Sequence, residues 1–115
     1  MAWGYIHFRI LAEALDASDL SSLVAAKRML RQAPAAEWPE LPVADARAAL
    51  VELLTDERVE LGSPNGILQA EEAVDAIGQD APWTGESGFY ELVITDDGVD
   101  LWNILVRQFW PDALT

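Results

Sequence analysis

Ala49-Leu-Val-Glu-Leu-Leu-Thr-Asp-Glu-Arg-Val-Glu-Leu61 is the stretch on which the fold turns. Leu50, Leu53 and Leu54, with Val43 and Ala46 upstream, fall at helical spacing, which predicts a helix from about Val43 to Leu54 with those residues inward. Arg58-Val-Glu-Leu61 alternates polar and apolar and predicts a short strand. A helix thus runs almost directly into a strand. The reverse junction lies in Phe89-Tyr-Glu-Leu-Val-Ile-Thr-Asp-Asp-Gly98. Phe89–Ile94 reads as a strand, and Thr95 caps a final helix with Asp96 and Asp97 in its first turn, where the dipole favours anions. That helix is expected to turn Val99, Trp102, Leu105, Val106 and Phe109 inward and Asp100, Asn103 and Arg107 outward, and to stop at Pro111.

Working outward, residues 5–16 read as an amphipathic helix. Ile6, Ile10 and Ala14 form one apolar row and Phe8, Leu11 and Leu15 the next, with Arg9, Glu13 and Asp16 on the wet side. Ser18-Asp19 caps a second helix over Leu20–Ala33, whose apolar face is Leu20, Leu23, Ala26, Leu30 and Ala33. Lys27, Arg28 and Arg31 lie opposite, either as a contact patch or as complements to the helix dipole. Pro34, Pro39 and Pro42 make an extended connector, with Trp38 expected to plug the core. Gly62-Ser-Pro-Asn-Gly66 is a turn cluster, Ala70–Ile77 a short helix opening on Glu71 and Glu72 and stopping at Gly78, and Pro82–Gly88 a loop.

The order is helix, helix, helix, strand, loop, strand, helix. Residues 49–61 look like a third helix turning into a first wing strand, and residues 89–98 like a second wing strand entering a closing helix. Both resemble winged-helix proteins of the MarR and PadR kind. The resemblance implies a mostly helical α+β fold over residues 1–115: three helices, a two-stranded wing with a short inserted helix, and a C-terminal helix. In DNA-binding members, polar and basic residues on the third helix read bases and a basic wing holds phosphates. Here the helix offers Asp45, Arg47 and Glu52, followed by Asp56 and Glu57, and no base occurs from Leu61 to Glu91. The usual DNA surface is inverted in sign. Size, charge and the lack of catalytic residues are also similar to small acidic immunity proteins that neutralise bacterial toxins, some of them nucleases.

A chain of 115 residues fits one domain. The absence of cysteine removes disulfides and thiol chemistry and suits a reducing compartment. No signal peptide and no run of roughly 18 apolar residues is present, so a cytoplasmic location and no membrane contact are expected. Twenty acids against seven bases leave a net charge of −13. The excess is uneven: residues 1–31 hold four bases and three acids, net +1, and residues 32–115 three bases and seventeen acids, net −14. Such a surface repels phosphate backbones and steers basic partners towards itself; the plainer reading is that it keeps the protein soluble.

Catalytic motifs are missing. His7, the one histidine, stands in an apolar helix and reads as structural. Asp96-Asp97-Gly98-Val99-Asp100 lacks the closing Glu of a calcium loop, since Arg107 falls at position twelve, and a helix start explains these acids better. No cofactor is expected. What remains is acids beside large apolar residues, an arrangement suited to a basic protein partner. The candidate surface is Asp45, Glu52, Asp56 and Glu57, with Glu71, Glu72 and Asp75 on the inserted helix and Trp83 and Glu86 in the loop. The expected function is a non-catalytic inhibitor or immunity-type protein, a monomer or homodimer, docking on a basic toxin or nuclease. The alternatives are a winged-helix transcription regulator and an adaptor module of a larger assembly.

Overall fold

The computed structural model describes residues 3–15, 42–79, 83 and 90–109. Helix α1 (Tyr5–Leu15) leads to α2 (Val43–Thr55), strand β1 (Val59–Ser63), strand β2 (Gly66–Ile67), helix α3 (Ala70–Ile77), strand β3 (Glu91–Ile94) and helix α4 (Asp96–Phe109). The fold is α+β. Its antiparallel sheet has the order β2-β1-β3, with Val59 opposite Ile94 and Leu61 opposite Leu92. The helix expected over Leu20–Ala33, the Lys27, Arg28 and Arg31 group, and Trp38 lie outside the described residues.

The first correction concerns α1. Arg9 and Glu13, expected in water, are both 0% exposed, whereas Leu15, expected inside, is 43% exposed. Every residue from His7 to Ala14 is buried. The reason is position: α1 packs against α2, α4 and β3, so no side of it is left for solvent. Only His7, Arg9 and Glu13 break its apolar sequence, and a helix apolar nearly all round belongs inside. Arg9 and Glu13, opposite in sign and one turn apart, are both engaged there. Phe8 stacks on Trp102 at 5.1 Å between ring centroids, and Tyr5 and Phe8 each meet Phe109 at 5.7 Å, fastening α1 to α4.

Helix α2 follows expectation, with Ala46, Leu50, Leu53 and Leu54 buried. It ends in a Schellman motif: the Glu57 amide donates to the Leu54 carbonyl at 3.2 Å and the Arg58 amide to that of Leu53 at 2.9 Å. Glu57 stands at φ 58, the left-handed position that glycine normally occupies. The second correction is the sheet, which has three strands where a two-stranded wing was expected. The turn over Ser63–Gly66 is tight enough to fold β2 back onto β1, with the Asn65 amide donating to Ser63 Oγ (3.3 Å), Ser63 Oγ to the Gly66 carbonyl (2.9 Å), and Gly66 at φ 121.

The boundaries of α3 match those expected. Glu72 Oε1 accepts the Gln69 amide at 3.4 Å, and Arg47 Nε donates to the Ile77 carbonyl at 2.7 Å at the other end. Thr95 caps α4, its Oγ1 accepting the Gly98 amide at 3.0 Å and donating to the Glu57 carbonyl at 2.7 Å. This hydroxyl joins the start of α4 to the end of α2. The approach is so close that a Cβ on Gly98 would lie 1.9 Å from the Arg58 carbonyl oxygen, which explains the glycine. The inner face of α4 is Gly98, Leu101, Leu105 and Val106, with Val99 only partly covered.

Candidate partner-binding groove

The corner where α2 ends, β1 begins and α4 starts is built from three sequence devices. The left-handed Glu57 reverses the chain out of α2, the β1–β3 register carries Ile94 to Val59, and the Thr95 cap then starts α4 beside Glu57. Arg58 locks the corner from behind. Its Nη1 donates to the Asp97 carbonyl and its Nε to Asp56 Oδ2, both at 2.8 Å, and its guanidinium lies 5.9 Å from the Trp3 ring centroid.

An open groove of about 730 Å³ occupies this corner. Leu54, Val59, Ile67 and Leu68 supply its apolar lining, and Glu57, Glu60, Asp96 and Asp97 its charged groups. Among the described residues no base lines it. Ile67, on edge strand β2, is 52% exposed, one of three large apolar side chains so exposed among the described residues. Four carboxylates in this setting create a negative potential, with nothing of opposite sign among the described lining residues to cancel it. They do not converge: among the described residues no three His, Asp or Glu are grouped so as to hold a metal ion.

The residues expected to form the partner surface fare differently. Glu57 lines the groove and Asp56 adjoins it, with its carboxylate paired to Arg58. Glu52 is drawn to the buried His7, its Oε1 lying 3.3 Å from Nε2. Since the Gly4 amide donates to Nδ1 at 2.9 Å, Nε2 carries the proton and donates to Glu52, while the Trp3 ring meets the imidazole edge-on at 4.9 Å. Asp45 is exposed in the first turn of α2. Glu71, Glu72 and Asp75 are exposed on α3 outside the groove, Glu72 being tied to its own helix start. Trp83 is a core residue where a surface anchor was expected. It is 3% exposed, donates from Nε1 to the Ile77 carbonyl at 2.8 Å and lies under Arg47 at 5.8 Å. Glu86 lies outside the described residues.

Glu60, Asp96, Asp97 and Ile67 were not among the expected site residues. Glu60 had a local signal, since it is the outward residue between inward Val59 and Leu61. Asp96 and Asp97 read only as dipole complements until the strand pairing places them across from Glu57. No family model, curated protein or solved structure matches this chain. Among the described residues, no helix is long and apolar enough to cross a membrane.

Proposed function

We propose that this protein is a non-catalytic binding protein of the inhibitory, immunity type that docks an acidic surface on a basic protein partner. The observation carrying the reading is the groove, a depression whose described lining sets four carboxylates and no base beside the exposed Ile67. Charge of this kind accelerates encounter with a cationic partner, and apolar contacts at the centre lengthen the life of the complex. The frame itself reads as winged-helix-like, with α2 in the place of a recognition helix and β1 and β3 in that of the wing. In that frame the acids bar the usual target. Glu60 and Glu91 on the strands and Asp45 on α2 would face phosphates, and Arg47 is committed to the α3 carbonyl terminus.

The test is capture by the tagged protein from its own host's lysate, treated with nuclease, with identification by mass. One stoichiometric basic protein, released by salt, is the expected result. An activity assay on that protein then separates an inhibitor, which silences it, from an adaptor, which leaves it active. Recovery of DNA at about 0.15 M salt with no protein captured would return the chain to the transcription regulators.

A further inference from the structure

On the reading of the protein as a binder of a basic partner, we infer that the groove receives an extended partner segment in which arginine or lysine alternates with apolar residues. Charge complementarity selects the cation. Among the described residues Glu57, Glu60, Asp96 and Asp97 are the charged groups of the lining, so an anionic or nucleic-acid occupant would meet repulsion there. The spread of the carboxylates selects a distributed cation over a metal ion, because no three of them converge. The apolar lining selects the kind of cation. Long basic side chains lay their methylene stems along apolar surface while the charged head stays wet, and the half-buried Leu68 and the exposed Ile67 offer such a surface beside the acids.

The dimensions agree. About 730 Å³ lies within the roughly 300–1,000 Å³ of clefts that enclose ligands, enough for several side chains rather than one. Its lining crosses from Ile67 on edge strand β2, past Glu60 on β1, to Asp96 and Asp97 at the start of α4, a spread that an extended segment spans better than a compact one. Arg58, at the back of the same corner, does not compete for the acids, since its guanidinium is held by the Asp56 carboxylate and the Asp97 carbonyl.

The experiment is an NMR titration of the ¹⁵N-labelled full chain with the capped peptide Leu-Arg-Leu-Arg-Leu, beside a control with glutamate at both arginine positions. Amide shifts should be confined to residues 54–60, 67–70 and 95–97, and the control should leave them in place. Raising salt from about 0.05 to 0.5 M should weaken binding about tenfold. The double variant Glu60→Lys/Asp96→Lys should lose binding, and Glu60→Gln/Asp96→Asn, which adds no charge, should weaken it about tenfold. Shifts elsewhere, equal binding of the glutamate peptide, or no binding at about 5 mM peptide, where only Kd values of that order escape notice, would overturn the inference. So would concentration-dependent broadening of the same amides without peptide, which would make a second copy of this chain the occupant. If lysate capture still yields a basic protein with the double variant, the groove assignment falls while the binding reading stands. If the unmodified protein captures none, the binding reading falls, and the peptide titration still decides what the groove accepts.

Discussion

Helix α1 and the α2–β1–α4 corner both carry charge among large apolar residues, and they treat it in opposite ways. On α1, Arg9 and Glu13 are taken wholly out of water, opposite in sign and one turn apart. At the corner, Glu57, Glu60, Asp96 and Asp97 keep their carboxylates in an open groove with no base among its described lining residues. In the first region charges of both signs are taken into the packing. In the second, charge is uncompensated and available to a partner. What separates them is the number of neighbouring elements: α1 is enclosed by two helices and a strand, whereas the corner opens at the start of β1 with the exposed Ile67 of edge strand β2 in its lining.

The sharpest way to break this contrast is to uncompensate α1. Glu13→Leu or Arg9→Met alone leaves one buried charge and should cost about 3–5 kcal/mol, while Arg9→Met/Glu13→Leu together should recover most of that loss. Urea unfolding of the three variants checks it, and a single-variant cost near zero would put α1 back at the surface. Next in size is Gly98→Ala, whose Cβ would strike the Arg58 carbonyl. The α4 start must then move, and a loss of about 2–3 kcal/mol is expected from thermal unfolding. An unchanged melting temperature would show that the corner is slack.

A smaller and opposite effect is expected at Glu57. Relief of a left-handed non-glycine residue is worth about 1–2 kcal/mol and the added chain entropy of glycine takes back about 0.5–1, so Glu57→Gly should raise stability by about 0.5–1 kcal/mol. The same change removes a groove carboxylate, so binding of the basic peptide should weaken as the protein becomes more stable. Both moving in one direction would deny the corner a role apart from folding. Smallest is Glu60→Lys, on the exposed side of β1, where stability should stay within about 0.5 kcal/mol while peptide binding falls.

Much of the framework was legible before the structure. The limits of α3 follow from Glu71-Glu72 at its start and Gly78 at its end, and the Thr95 cap from a hydroxyl ahead of two acids and an apolar helix face. The inward set of α2 follows from its spacing. The site was legible only in part. Asp45, Glu52, Asp56, Glu57, Glu71, Glu72 and Asp75 were all candidates by charge, yet Glu52 is drawn to His7, Asp56 to Arg58 and Glu72 to its own helix. Trp83 looked like an anchor because aromatic size alone does not distinguish a core residue from a surface one.

The sequence by itself determined the α+β class, the limits of α3, the start of α4, the two helix–strand junctions and the net acidity of residues 32–115. These depend on local spacing, on capping bonds within a few residues, and on composition, which needs no coordinates. The tertiary structure alone decided that α1 lies at the centre with its charges inside, and that Glu57 and Glu60 share a groove with Asp96 and Asp97. Burial is set by what packs on every side of an element. The groove exists because β1 pairs with β3, so that residues far apart in the chain meet at one corner.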